Sequence, residues 1–257
     1  MRVKIATWNV NSIRARLPRV SVWLEHEQPD LLCMQETKVV DEAFPREAFH
    51  DLGYHVESFG QKTYNGVAIV SRAKPEEVLR GFPEDAPGIE RRLIGGRYAG
   101  IWILNVYVPH GTELGTPRFD FKLDWLRRLR GLIQSRWQPG DPILVCGDFN
   151  VAPEDRDVHD PDRWRGQLLF HPDEQAALRA LMEWGLHDAF RLHTEEGGHF
   201  SWWDYRAGAF HRGWGLRIDL VLVSDGLREH CRAVAIDREA RKGRKPSDHA
   251  PVVADLA

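Results

Sequence analysis

The stretch Pro142-Ile143-Leu144-Val145-Cys146-Gly147-Asp148-Phe149-Asn150-Val151-Ala152-Pro153 decides how the chain is read. Its apolar run has the length and continuity of a strand buried on both faces. The run stops at a glycine and ends in Asp148 and Asn150, two positions apart. Alternation along a strand predicts that these two side chains share a face, a carboxylate beside a carboxamide. Gly, Asp and Asn also favour turns for backbone reasons, so taken alone the same residues read equally as a turn.

Other segments repeat this signature. A strand over 3–7 leads into Asn9 and Asn11, again two apart, followed by Arg14. A helix is expected to begin near Pro18, a residue suited to the first turn. The apolar run over 30–36 delivers Glu36. Strands over 53–59 and 65–71 follow. A hairpin over 91–98 and 100–109 turns at Gly100 and delivers Tyr107. Helical spacing of Phe119, Leu123, Leu126, Ile133 and Trp137 predicts a helix over 118–137, with Lys122 near its start facing the Tyr107 rim. A polar loop over 154–167 and a helix over 172–184 come next. The aromatic segment over 199–205 precedes a buried strand over 216–223 that contains Asp219. An unpaired buried carboxylate is costly, so Asp219 needs a partner. A basic run over 238–245 then leads into Asp248-His249 and a last strand. On the order of a dozen strands, several in hairpins and a few followed by helices, predict an α/β chain of two packed sheets with helices outside, one domain over 1–257.

Composition narrows the class. Forty-two per cent hydrophobic and 28% charged residues are ordinary for a globular protein. A net charge of −3 excludes a globally basic nucleic-acid binder, so attraction of a polyanion falls to local basic patches or metal ions. Cys33, Cys146 and Cys231 are odd in number, sit in apolar runs and lack zinc spacing, which predicts reduced buried thiols. Met1 leads directly into the first strand, with no signal-peptide pattern and no apolar stretch of membrane-spanning length. The expectation is a cytoplasmic protein, associated with the bacterial nucleoid while working, with no membrane contact.

The strand ends collect acids, amides and one histidine, and no cysteine. Hard oxygen donors of this kind select Mg²⁺, with Mn²⁺ as a substitute, over zinc. Glu36 is the first expected metal ligand and Asp248 the second, with Asn9, Asp148, Asn150 and His249 around the same ion. His249 beside Asp219 would make a carboxylate–imidazole pair. Asp148 is placed to accept a proton from water that Asn150 orients. Asn9, Tyr107 and a protonated His249 would bind phosphate oxygens where charge grows. That set describes metal-assisted phosphodiester hydrolysis, with Tyr107, Asp148, Asn150, Asp219 and His249 as its catalytic residues. No GxSxG elbow and no P-loop motif is present, which excludes those chemistries.

The ordered segments resemble the exonuclease III family of apurinic/apyrimidinic (AP) endonucleases, within the endonuclease, exonuclease and phosphatase superfamily. They are Thr7-Trp8-Asn9-Val10-Asn11-Ser12-Ile13-Arg14, Leu32-Cys33-Met34-Gln35-Glu36-Thr37-Lys38, Asn65-Gly66-Val67-Ala68-Ile69 and Asn105-Val106-Tyr107-Val108-Pro109. Gly147-Asp148-Phe149-Asn150, Leu216-Arg217-Ile218-Asp219 and Lys245-Pro246-Ser247-Asp248-His249 complete the set. The resemblance implies a four-layer αββα sandwich, two packed mixed β-sheets with helices outside. It implies Mg²⁺-dependent cleavage of double-stranded DNA at abasic sites, removal of 3′-blocking groups and 3′-to-5′ exonuclease activity, by a monomer. In such a site either Asp148 or His249 takes the proton, with one metal or two.

Two departures stand out. His110 follows Tyr107-Val108-Pro109 where the family often has Asn or Gln. Leu169, in Leu168-Leu169-Phe170-His171-Pro172, replaces a residue that is commonly small. A crowded sugar pocket would favour 3′-end trimming (3′-phosphatase and 3′-phosphodiesterase action) over AP cleavage. Trp202 and Trp214 match the hydrophobic wall of that pocket, although plain core packing explains them equally. With Asn11, Arg14, Lys122 and Leu169 they make the expected substrate-binding set. The basic clusters over 14–19, around Lys122, over 156–165 and over 238–245 are expected to line one face. Competing readings are a phosphoesterase of RNA, inositol phosphates or sphingomyelin, and a catalytically dead DNA-binding module. The Lys245 to His249 and Leu216 to Asp219 matches oppose the first. Retention of every acid, amide and histidine opposes the second.

Overall fold

The computed structural model describes residues 2–86 and 88–257. The chain opens with strand β1 (Val3–Asn9), helix α1 (Ile13–Glu27), β2 (Leu31–Gln35), the short α2 (Arg46–His50), β3 (His55–Phe59) and β4 (Val67–Ser71). It continues through β5 (Glu77–Arg80), β6 (Leu93–Tyr98), β7 (Ile101–Tyr107), α3 (Pro117–Arg136) and β8 (Ile143–Asp148). Then come α4 (Pro161–Trp164), α5 (Pro172–Met182), β9 (Leu186–Asp188) and β10 (Trp202–Trp203). The last elements are α6 (Ala209–Arg212), β11 (Gly215–Leu216), β12 (Asp219–Ser224), α7 (Asp225–Arg228), β13 (Cys231–Ile236) and β14 (Val252–Leu256).

Two six-stranded mixed sheets result, ordered β13-β14-β1-β2-β4-β3 and β5-β6-β7-β8-β12-β9. Only β1–β2 and β7–β8 pair in parallel within them. Strands β2, β4 and β8 are buried at every residue, the physical origin of their unbroken apolar sequences. Ile5, Cys33 and Ile69 of one sheet meet Ile103, Cys146 and Val221 of the other in the central core. Outward-facing Trp8, Leu32 and Val70 pack with Val20 and Leu24 of α1. Val145 and Leu220 face the opposite way, towards Leu129 and Leu178 of α3 and α5. This is the expected four-layer sandwich. No described helix is long and apolar enough to cross a membrane.

A polar bolt crosses the central core just behind the site. Asn105 on β7 donates through Nδ2 to the Met34 and Ala68 carbonyls, at 2.9 Å each, and accepts from Gln35 Nε2 at 2.7 Å. Buried amides must find partners, so this triad fixes how the sheets align. The ends of β1, β2, β7 and β8 are thereby brought to one edge.

Three local expectations change. Helix α1 starts at Ile13 rather than near Pro18, which lies inside it. The chain can turn early because Asn11 and Ser12 take left-handed backbone angles (φ 44° and 87°). The loop after β8 contains short helical turns at Asp155–Asp157 and Pro161–Trp164. Asp219 begins its strand instead of lying within it, because β11 and β12 are separate.

Candidate active site

Asp148 and Asn150 do sit together, but not through strand alternation. Strand β8 ends at Asp148, and Asn150 has a left-handed φ of 52°. The Asn150 amide donates to Asp148 Oδ1 at 2.9 Å, so the side chain closes a turn over its own backbone. The Asn9 side chain does the same, accepting from the Asn11 amide at 3.0 Å, with Asn11 again left-handed. The turn reading and the site reading are both true: the turn aims the functional groups. Gly147 is required just before, because a Cβ there would lie 1.9 Å from the Val106 carbonyl oxygen.

A continuous arc of polar contacts joins the strand ends. Asn9 Nδ2 donates to Glu36 Oε1 and to Asp148 Oδ2, at 2.9 Å each. Glu36 Oε2 meets Lys38 Nζ at 2.7 Å, and the same ammonium donates to Asn11 Oδ1 at 2.6 Å. Asn11 Nδ2 donates to Asp248 Oδ1, whose other oxygen accepts from Trp202 Nε1 at 3.1 Å. On the other side, His249 Nε2 lies 3.8 Å from Asp148 Oδ2, and His249 Nδ1–H donates to Asp219 Oδ2 at 2.8 Å. Asp219 has found the partner its burial demands. Tyr107 stands next to Asp148 in the β7–β8 register, with the Arg92 guanidinium 4.5 Å from its ring centroid.

The electrostatics follow from burial and crowding. Asp148 and Asp219 face each other directly across the β8–β12 register. Burial, with Asp219 and Glu36 nearby, lifts the Asp148 carboxyl to about 7 against the pull of His249 and Asn9. Burial by itself lowers His249, but Asp219, Asp148 and Asp248 together outweigh it and raise the imidazole to about 10. Burial would raise Glu36, yet Lys38 and Asn9 hold it below the ordinary carboxylate range. Burial and the Glu36 charge push the Tyr107 hydroxyl well above its usual value.

Asp148, Asp219 and His249 offer ligand atoms within 4.8 Å of one another, an acidic grouping able to hold a metal ion. Asp219 Oδ1 is buried without a hydrogen-bond partner, and an orphaned carboxylate oxygen of this kind fits a cation. Glu36, the first ligand expected from sequence, joins this grouping through Asn9, while Lys38 holds its outer oxygen.

Not every expected site residue reaches the arc. Lys122 does not face the rim: its side chain is fully buried, and Nζ donates to the Asn150 carbonyl at 2.7 Å, the His110 carbonyl at 3.1 Å and Glu174. The amphipathic pattern of α3 hid this, because a buried lysine paired with a buried glutamate looks like solvated charge in sequence. Lys122 instead braces the turn that carries Asn150. Arg14 is exposed on α1. His110 turns its ring back to accept from the Thr112 amide at 3.3 Å. Leu169 is buried beside Phe170, Leu216 and Ile218, with Trp202 against that cluster, and has a left-handed φ of 72°. It lies behind Trp202 rather than in the cavity. Trp202 and the half-exposed Trp214 share a cavity of about 220 Å³ with His159 and Trp164, and Trp214 stacks on His159. Lys38, Arg92, Trp8 and Ser247 were not singled out as site residues. Trp8 Nε1 holds the His249 carbonyl at 3.1 Å, and Ser247 Oγ joins the Asn9 carbonyl to the His249 amide. Lys38 was signalled only by its place two residues after Glu36.

The basic clusters also separate. Arg127, Arg128, Arg156 and Arg165 are held by nearby carboxylates. Only the first and last clusters merge: Arg19 donates to the carbonyls of Ala240, Lys242 and Arg244, and Arg16 to that of Pro246.

Residues 6–249 match the Endonuclease/Exonuclease/phosphatase family. The chain belongs to this family. Exodeoxyribonuclease III of Haemophilus influenzae is 37% identical over 266 residues, covering 99% of this chain and all of that protein. An AP endonuclease structure from Archaeoglobus fulgidus superposes with a TM-score of 0.95 at 44% identity, covering 99% of each chain. A 3′ phosphatase from Neisseria, solved bound to a product DNA hairpin, superposes at 0.94 with 40% identity over 99% of each chain. As a member of this family the protein is a hydrolase.

Proposed function

We propose that the protein is a DNA-repair phosphodiesterase, acting as a monomer on duplex DNA at abasic sites and blocked 3′ ends, with 3′-to-5′ exonuclease activity. The observation that carries this reading is the single arc in which Asn9 bridges Glu36 to Asp148 while His249 spans Asp148 and Asp219. The relatives named as exodeoxyribonuclease III and AP endonuclease support the substrate class.

The donor set is oxygen-rich with one imidazole, which favours Mg²⁺, or Mn²⁺ in its place. Glu36 and Asp248 would hold it, with Asn9, Asp148 and Asn150 around them and the protonated His249 beside the phosphate. Bound there, the ion would supply charge neutralisation for a phosphate. The chain's own groups do the rest. The Asp219-bound imidazole carries its proton at neutral pH, so His249 donates to a phosphate oxygen. That leaves Asp148, whose carboxyl titrates near neutrality, to accept the proton from the attacking water. Asn150 orients that water. Asn9 and Tyr107 steady the phosphate oxygens as charge grows.

A second reading, restriction to 3′-end processing, is favoured by the likeness to the 40%-identical 3′ phosphatase. One experiment tests both. Three labelled duplexes, bearing an internal abasic site, a 3′-phosphate or a plain recessed 3′ end, are incubated with Mg²⁺, Mn²⁺ or EDTA. Cleavage of all three that EDTA abolishes supports the first reading. Cleavage at 3′ ends alone supports the second, and no metal-dependent cleavage of any sinks both.

A further inference from the structure

Where the first and last basic clusters merge, the chain encloses a second cavity, of about 310 Å³. Its walls include Asp204, Tyr205, Phe210, Arg241, Lys242 and Pro246. Segment 204–209 divides it from the Trp202/Trp214 cavity, since Asp204 and Ala209 line both. The Pro246 carbonyl accepts from Tyr205 Oη and Arg16, two residues before Asp248 in the arc.

Arg241 is the unusual member. Only 7% of it is exposed, yet its side chain makes no hydrogen bond or salt bridge among the described residues, and its Nε is buried without a partner. The Tyr205 and Phe210 rings lie 5.1 and 5.2 Å from the guanidinium carbon. Those rings attract the charge but accept none of its in-plane N–H groups. A buried guanidinium with unmade hydrogen bonds is costly. Arg16 and Arg19 beside it donate to carbonyls and the Tyr205 hydroxyl rather than to carboxylates, so no ion pair neutralises the positive charge here. Lys242 at the rim is partly offset by Glu239, and Asp204 is the one acid in the wall. A planar fork of free donors in a cationic hollow matches a phosphate.

We infer that the Arg241 cavity is a subsite for a backbone phosphate of the bound DNA strand, beyond the one being hydrolysed and on the Asp248 side of the site. The inference rests on the reading of the protein as a DNA phosphodiesterase. The aromatic cavity would then hold a sugar or base, and the Arg241 cavity a phosphate, on the two sides of segment 204–209.

The test measures binding of an abasic duplex in EDTA, as a function of salt, for wild type, Arg241→Met and Arg241→Lys. A parallel set of duplexes carries one neutral methylphosphonate at each position in turn. Arg241→Met should lower the salt slope by ~0.9 and weaken binding about tenfold, while Arg241→Lys keeps the slope. One methylphosphonate position should cost wild type affinity and cost Arg241→Met nothing. An unchanged slope, with every methylphosphonate penalty retained, overturns the subsite. If Arg241→Met does not fold, the exposed change Lys242→Ala is read in the same scan, and its reduced penalty must fall at one position. Inorganic phosphate that stabilises wild type but not Arg241→Met, with no methylphosphonate position affected, would assign the cavity to a free anion and overturn the strand phosphate. If wild type neither binds nor cleaves any of the duplexes, the DNA reading itself has failed, a result distinct from loss of the subsite alone.

Discussion

Two buried charged clusters lie on either side of β12, and they are built to opposite rules. In one, Arg217 donates to Asp157 and Asp188 through four contacts of 2.6–3.1 Å, and Arg191 also meets Asp157. Two arginines balance two aspartates. In the other, Glu36, Asp148, Asp219 and Asp248 make ion-pair contact only with His249 and Lys38 among the described residues. Buried ions are tolerated when paired, and the first cluster is paired within itself. The second keeps an excess of negative charge that only something from outside can neutralise. The difference separates a structural network from a functional one better than burial does, because Asp148, Asp219 and His249 are buried as Arg217 is.

The sharpest way to break this contrast is to remove one carboxylate from the unbalanced cluster. Asp148→Asn should slow single-turnover cleavage of an abasic duplex by ~10²–10⁴-fold. The urea midpoint should not fall, since the change removes a like charge opposite Asp219. Arg217→Met should do the reverse and lower the unfolding free energy by ~3–5 kcal/mol, because Asp157 and Asp188 would be left buried and uncompensated. If Asp148→Asn destabilised the protein as much as Arg217→Met, the two clusters would be of one kind.

Metal addition probes the charge excess without reading activity. Mg²⁺ at a hundred times its dissociation constant should stabilise wild type by about 2.7 kcal/mol, seen as a raised melting temperature. Glu36→Gln should lose most of that response, whereas a structural cluster already neutral gives none.

The pH dependence is gradual, at most ~1.4 kcal/mol per pH unit for one proton. The folded protein holds His249 at about 10 against an ordinary 6.5. Its contribution is therefore complete below pH 6.5 and is lost as pH rises through 10. Denaturation midpoints should fall across that window in wild type and fall less in His249→Asn. Leu169→Gly is expected to have the smallest effect. It frees a left-handed position and loosens the packing behind Trp202, so the ratio of abasic-site to 3′-end cleavage should rise. An unchanged ratio would remove Leu169 from any account of selectivity.

Much of this was legible in the residues themselves. The buried strands and the helix over 118–137 came from periodicity. Asn9, Glu36, Asp148, Asp219 and His249 were found because polar groups at the ends of apolar runs are hard to place elsewhere. Lys122 was misplaced, because a lysine–glutamate pair 52 residues apart in sequence carries no local trace. The left-handed angles at Glu36, Lys38 and Leu169 were equally invisible, since none of these residues favours them. Such strain persists only where surrounding contacts impose it, and at Glu36 and Lys38 it sits where chemistry is expected.

The sequence by itself determined the strands, the layer class and the chemical identity of the site, because hydrophobic periodicity and donor type are local properties. The tertiary structure alone decided which charges are neutralised. Arg217 finds its acids, Lys122 finds Glu174, and Arg241 makes no ion pair among the described residues. Charge balance depends on distances across the core, and chain order does not encode distance.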